Sequence, residues 1–244
     1  MKAVITGGTR GIGLSTAVVL GKAGYDIILT GISKEDADSA LQLLQEQGIN
    51  AEFYFVNSMV EEEVNQFFAT IGEKYGELDL LVNNVGGLGG RQRFEAMETS
   101  FMRSVMALNF DNAFFASRAA IPLLKKGNHP SIINYSTIAV TSGGGPGAGI
   151  YAASKAAIEG LTRALAKDLA EYGIRVNAVS PGTIDTPFHA ATKREIVESW
   201  KNAIVMKRLG EPEEVATVIE FLASEKASFL TGEIIQVNGG QAFI

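Results

Sequence analysis

Ala3-Val4-Ile5-Thr6-Gly7-Gly8-Thr9-Arg10-Gly11-Ile12-Gly13 is the stretch from which the fold is read. The segment 3–6 is apolar or β-branched with no polar alternation, as suits a strand buried on both faces. From Gly11 to Ala23 the spacing of apolar residues becomes helical. Strand, glycine turn and helix therefore follow one another directly. Glycines at such a turn let backbone amides approach a bound group, and the N-terminus of the next helix attracts negative charge. A turn built this way is expected to hold a pyrophosphate. Gly7, Thr9, Arg10, Gly11, Ile12 and Gly13 are its candidate contacts.

The same alternation runs outward through the chain. Segments 3–6, 26–30, 52–56, 78–82, 131–134, 175–179 and 233–237 read as strands. Segments 11–23, 34–47, 60–75, 99–125, 150–172 and 212–224 read as helices. Ser33 and Glu211 suit helix starts, and Gly24, Gly48, Gly76 and Gly173 suit helix stops. Strands alternating with helices predict one α/β domain over residues 1–244, a doubly wound, seven-stranded parallel sheet with helices on both faces. No linker or repeat divides it. The one biased stretch is 142–149, rich in glycine, just ahead of Tyr151.

Composition narrows the function classes. The net charge of −6 over 244 residues argues against nucleic acid or an anionic membrane as partner. With no cysteine there is neither a disulfide framework nor a thiolate metal site, and His129 and His189 alone do not make an all-histidine one. No metal is expected. The apolar start from Met1 to Ile5 is shorter than a signal peptide or membrane span requires. A cytoplasmic location and no membrane partner are the expectation.

Tyr151-Ala152-Ala153-Ser154-Lys155 sets a phenol and an ammonium one helical turn apart. A lysine beside a tyrosine is expected to lower the phenol's pKa from its usual value of about 10, making it an acid or base near neutral pH. This spacing is common on helix surfaces. It gains weight from the glycine turn in the same chain.

Thr6-Gly7-x-x-x-Gly11-x-Gly13, Asn83-Asn84-Val85-Gly86, Asn109, Tyr151 with Lys155, and Pro181-Gly182-x-Ile184-x-Thr186 occur in the order of the short-chain dehydrogenase/reductase family. The chain resembles that family from end to end, with Val85 where alanine is usual. The resemblance implies a Rossmann-like domain and hydride transfer between a nicotinamide and a carbonyl or alcohol carbon. In reduction Tyr151 would protonate the carbonyl oxygen, Lys155 would hold the nicotinamide ribose, and Asn109 would position a water on the proton path. Asn84, Val85 and Gly86 would line the cofactor, and Pro181, Gly182, Ile184 and Thr186 its nicotinamide end. Asn84 and Asn177 are expected mainly to brace the structure.

The family's NAD-preferring members end the second strand with an acidic residue. Gly31 holds that place, and Arg10 stands where NADP-preferring members carry a basic residue. Ser33 and Lys34 follow, whereas Ile32 replaces a frequent arginine. NADP(H) is expected, with NAD(H) as the alternative. Asn57-Ser58 replaces the family's Asp-Val beside the adenine. Asn57 can both donate and accept there, and its other reading is as a turn former.

The family also places a serine at the end of the fifth strand to polarise the substrate oxygen. On the family pattern, Ile132-Ile133-Asn134-Tyr135-Ser136-Thr137 puts Thr137 there, 14 residues before Tyr151 instead of the usual 13. Threonine keeps the hydroxyl but is stiffer at χ1. Ser136 and Ser142 remain the other candidates. A lid is expected over about 186–208, including Phe188, His189, Lys193 and Trp200, and the loop 86–93 brings Arg91 and Arg93 toward the substrate. The expected substrate is a small polar carbonyl or alcohol. The alternatives are an NAD-dependent alcohol or polyol dehydrogenase, a β-ketoacyl-ACP reductase, and a nucleotide-binding regulator without turnover. For the ACP reading, Tyr172 stands where a basic residue is usual, although Lys125-Lys126 adds charge nearby. The long helices imply a subunit interface and a homotetramer.

Overall fold

The computed structural model describes residues 1–186 and 194–243. Its strands are β1 (Lys2–Thr6), β2 (Asp26–Gly31), β3 (Ala51–Phe55), β4 (Leu80–Asn83), β5 (Ser131–Tyr135), β6 (Arg175–Pro181) and β7 (Ile234–Val237). They form one sheet in the order β3-β2-β1-β4-β5-β6-β7, parallel throughout. The winding direction reverses between β1 and β4, which opens a crevice at the strands' carboxyl ends. The segments after β1 to β6 that carry most candidate residues leave the sheet at that edge, while Tyr151, Lys155 and Asn109 come from helices beside it.

The helices are α1 (Gly11–Lys22), α2 (Lys34–Glu46), α3 (Glu61–Tyr75), α4 (Thr99–Met106), α5 (Asn112–Leu124), α6 (Ala139–Ser142), α7 (Gly149–Asp168), α8 (Arg194–Ala203) and α9 (Pro212–Ala223). Successive strand residues face opposite layers. Ile5, Leu29, Val82 and Ile133 pack with Leu20 of α1, Leu44 of α2 and Ile219 of α9. Val4, Ile28, Leu81 and Ile132 pack with Phe67 of α3 and Leu124 of α5 on the other side. Where both faces are covered, as along β1, β2 and β4, the strands read as apolar runs. Burying a side chain such as Ile5 completely contributes about 1.5–3 kcal/mol.

Helix ends follow local chemistry. The Ser33 hydroxyl accepts the Asp36 amide at 3.2 Å and caps α2. Glu211 and Glu214 form a reciprocal capping box at α9, with Pro212 in the first turn. Gly76 closes α3 in the left-handed region at φ 75°.

Three helical expectations need correction. Segment 99–125 is not one helix, because a π-helical turn at Ala107–Asp111 separates α4 from α5. Asn109 in that turn donates to Val105 O at 3.0 Å, and Asn112 donates to Leu108 O, so side chains take carbonyls of their own helix. Segment 150–172 is α7 followed by a separate 3₁₀ turn at Ala170–Tyr172. In addition, α6 forms just before the glycine-rich stretch 142–149, and α8 lies within the expected lid. Among the described residues no helix is long and apolar enough to cross a membrane.

Candidate active site

The glycine turn after β1 is a shallow cradle of backbone. Gly7 and Gly11 have φ of 60° and 56°, a region that residues with a Cβ rarely adopt. A Cβ on Gly13 would lie 2.6 Å from Asn84 Nδ2 and 2.8 Å from Gly7 O. The N-terminus of α1 has no side-chain cap and no acidic residue in its first turn. Its amides and positive dipole end therefore face the crevice, as an anionic pyrophosphate requires. Asn84 donates to Thr6 O at 3.0 Å and to Gly7 O at 2.9 Å, so its amide fixes the turn from β4. Val85 packs within 2.9 Å of where a Gly7 Cβ would stand, and Thr186 lies 3.8 Å from that of Gly11. Ile12 is partly buried against the core.

At the far end of this turn, Thr9 is buried and stands beside Gly31, with its Oγ1 3.6 Å from a Cβ built there. No carboxylate is present at Gly31. The Arg10 side chain is 71% exposed, and its guanidinium lies 3.8 Å from Asp36 of α2. A pair this open is worth at most a fraction of a kcal/mol, so Arg10 is available to another anion. Asn57 spends its Oδ1 on the Met59 amide at 3.1 Å while its own amide donates to Glu63 at 2.8 Å. Its turn-forming role is thus visible. Ser58 beside it is buried.

The chemistry gathers where β5 meets α7. Lys155 is 4% exposed, and its Nζ donates to Tyr135 O at 2.9 Å. Burial pulls its pKa down to about 8. Tyr151 is half-buried; desolvation raises its pKa, and the neighbouring Thr137 hydroxyl opposes the rise. The expectation of a phenol lowered by Lys155 is therefore not met. The ammonium is directed at the Tyr135 carbonyl, and desolvation outweighs every other influence on Tyr151.

Of the three candidate hydroxyls, Thr137 is the one facing Tyr151. Ser136 is buried and donates to Glu159 Oε1 at 2.7 Å. Ser142 is exposed and accepts the Gly144 amide at 3.3 Å. Asn109 is buried, with Nδ2 donating to Gly87 O at 2.8 Å and Oδ1 accepting from Gly87 N at 3.0 Å. These bonds lock the strand-like backbone after Gly86. A Cβ on Gly86 would stand 2.8 Å from Lys155 Nζ and 2.9 Å from Asn109 Oδ1, so only glycine lets the three meet.

Pro181 ends β6, and its carbonyl accepts the Ile138 amide at 3.2 Å just beyond Thr137. Gly182 donates to Val237 O at 3.0 Å, and Ile184 is buried against Gly210. This segment carries Thr186 back to the glycine turn, joining the two ends of the crevice. Asn177 bonds to Leu230 O and Glu233 N, bracing β6 against the chain entering β7. Arg91 donates to Pro146 O at 3.0 Å, and the Gln92 amide donates to Gly147 O at 3.0 Å. Arg91 thus ties the loop after β4 to the glycine-rich loop before α7, while Arg93 stays exposed. Phe188, His189 and Lys193 of the expected lid lie outside the described residues, and α8 carries Trp200.

Two participants were missed in the sequence. Asp36 reaches Arg10 from the next helix, a contact between distant segments that no local pattern announces. Glu159 was legible in principle, since it extends the spacing Tyr151, Lys155 by another four residues.

The chain matches the family model described as enoyl-(acyl carrier protein) reductase over residues 7–242. It is 37% identical to a 3-oxoacyl-[acyl-carrier-protein] reductase of Aquifex aeolicus, over 97% of this chain and 95% of that one. A 3-oxoacyl-[acyl-carrier-protein] reductase of Thermotoga maritima is 35% identical over 97% and 96%. Among solved structures, an NADH-dependent reductase responsible for alginate metabolism superposes with a TM-score of 0.91 at 33% identity, covering 100% of this chain and 97% of that one. A short-chain glucose/ribitol dehydrogenase from Brucella melitensis gives 0.92 at 32% identity, covering 100% and 97%. A seven-stranded doubly wound sheet with an amide-lined glycine turn, together with these matches across its length, makes the chain a member of the short-chain dehydrogenase/reductase family, an oxidoreductase acting on carbonyl or alcohol groups.

Proposed function

We propose that this oxidoreductase is an NADP(H)-linked reductase of a small polar carbonyl compound. The observation carrying the assignment of roles is the Thr137 hydroxyl beside the half-buried Tyr151, with Lys155 one turn behind. When bound, the nicotinamide supplies the hydride. Burial keeps the Tyr151 phenol protonated at neutral pH, the form needed to donate a proton to a carbonyl oxygen. Thr137 offers its hydroxyl to the same oxygen. Lys155, with a pKa of about 8, is mainly charged at pH 7 and favours the negative charge that develops beside it. Asn109 holds the Gly86–Gly87 backbone against Lys155 and borders the route by which a proton would be resupplied.

Cofactor choice rests on Gly31 and Arg10. The absence of a carboxylate at the end of β2 removes repulsion toward a 2′-phosphate, and the exposed Arg10 guanidinium supplies attraction. The polar substrate is supported by the loops bearing Arg91 and Arg93 beside α7. A second reading, a 3-oxoacyl thioester carried on an acidic protein, is favoured by one contact. Lys125 Nζ sits 3.4 Å over the ring of Tyr172, in the 3₁₀ turn beyond α7, bringing a cation to the place where Tyr172 stands for the usual basic residue.

The test is absorbance at 340 nm with NADPH and NADH against ketoses, keto-uronates, simple ketones and acyl thioesters. Turnover of a ketose or keto-uronate with NADPH is expected. Turnover of acyl thioesters alone would establish the second reading, and none on the whole panel would refute both. The homotetramer is also proposed. Phe229 is wholly exposed, Phe243 82% and Phe221 40%, an apolar surface around the β7 edge that a second copy would cover. Light scattering at working concentration should give four times the chain mass of 25.9 kDa.

A further inference from the structure

Tyr151, Lys155 and Glu159 follow one another four residues apart along α7, on the side that meets the end of β5. Three consecutive residues at the end of β5 meet that side. Lys155 Nζ holds the Tyr135 carbonyl at 2.9 Å. The Ser136 hydroxyl donates to Glu159 Oε1 at 2.7 Å. The Thr137 hydroxyl accepts the Ala139 amide at 3.2 Å and neighbours the Tyr151 phenol. The Glu159 side chain is only 16% exposed, and its other oxygen lies 3.9 Å from Arg163.

We infer that Glu159 is a positioning residue: through Ser136 it fixes the turn after β5 so that Thr137 presents its hydroxyl to Tyr151. Ser136 and Thr137 are adjacent, so their side chains leave the backbone in different directions and a hold on one sets the other. On the opposite side, the Ser136 amide donates to Val179 O at 2.8 Å. The Ser136 backbone is thus fixed by β6 and its side chain by α7. A hydrogen bond from a hydroxyl to a carboxylate is charge-assisted and stronger than one between neutral groups. Removing either partner leaves a buried polar group unmatched. The backbone would then relax at the position that carries Thr137.

The consequence for turnover rests on the hydride-transfer reading. The geometric claim does not, so the test has one arm for each. The first arm uses the protein with its six tyrosines labelled at Cζ with ¹³C, the Tyr151 signal being identified by its loss in Tyr151→Phe. Thr137→Val defines how that signal moves when the facing hydroxyl is removed. Glu159→Ala and Ser136→Ala should each move it in the same direction, and the double variant should move it no further than either. Glu159→Gln, whose amide oxygen still accepts from Ser136, should leave it near the parent position. A Tyr151 signal unmoved by Ser136→Ala, or Glu159→Gln as disruptive as Glu159→Ala, would overturn the inference. Ser136→Ala carries the test if Glu159→Ala does not fold.

In the second arm, kcat of Ser136→Ala and Glu159→Ala should fall about ten- to a hundred-fold with KM for the nucleotide nearly unchanged, as expected when a reacting group is misplaced by up to an ångström. A merely structural tie would lower the melting temperature and leave kcat intact. A parent protein without any turnover refutes the functional reading, while the NMR arm still decides the role of Glu159.

Discussion

Lys155→Met should stabilise the protein at neutral pH. The ammonium is 4% exposed, and burial pulls its pKa from 10.5 to about 8. A folded pKa below the unfolded one means the unfolded chain binds more protons between those values, so stability rises with pH through that window. Below it, holding the charged form in the core costs about 3 kcal/mol. Methionine keeps the length and apolar stem and removes the charge. It also removes the donor to Tyr135 O, a loss of about 1 kcal/mol. The expected net gain at pH 7 is therefore about 2 kcal/mol. By pH 9.5 most of the wild-type cost has gone, and the gap should shrink by about 2 kcal/mol. Urea unfolding of both proteins at the two pH values and one fixed concentration measures this directly. A variant less stable than the parent at pH 7, or a gap that does not narrow with pH, would refute the reasoning. The sign matters for function, because a residue that costs stability in place is expected at a working site.

Three further outcomes follow from the geometry. Thr137→Val keeps the shape and should lower kcat by about a hundred-fold, the scale of losing one donor to a developing oxyanion, and near-normal turnover would return the role to another hydroxyl. Arg10→Ala should weaken NADPH by about ten-fold or more, roughly 1.4 kcal/mol, while leaving NADH almost unchanged, and equal effects on both would argue for NAD(H). Gly86→Ala places a methyl 2.8 Å from Lys155 Nζ. It should cost about 1–3 kcal/mol in urea unfolding and suppress turnover, and a fully active, equally stable variant would contradict the packing described.

The central strands β1, β2 and β4 were readable because both faces are buried and they are spelled mostly in apolar residues, while the edge strands β3 and β7 were legible from their place in the alternation with helices. Their register and order add little that alternation with helices does not already imply. What sequence could not give came from contacts across long separations and from competition between side chain and backbone. The π-helical turn at Ala107–Asp111 arises because Asn109 and Asn112 take carbonyls of their own helix, which apolar periodicity does not reveal. Thr137 was singled out by the family pattern, but setting Ser136 aside required knowing that Glu159 already holds it. The pKa of Tyr151 was misjudged for a related reason. Spacing places Lys155 on the same face, yet only the structure shows its ammonium turned to Tyr135 O while desolvation dominates at Tyr151.

The central claim is that Tyr151 gives the proton in a hydride transfer, and Tyr151→Phe tests it most directly. With NADPH and a substrate turned over by the parent protein, the account predicts unchanged NADPH binding and melting temperature together with a loss of about a thousand-fold in kcat, within the range of general acid catalysis. A phenylalanine variant that turns over within about ten-fold of the parent, an acceleration too small for a positioned proton donor, would contradict it.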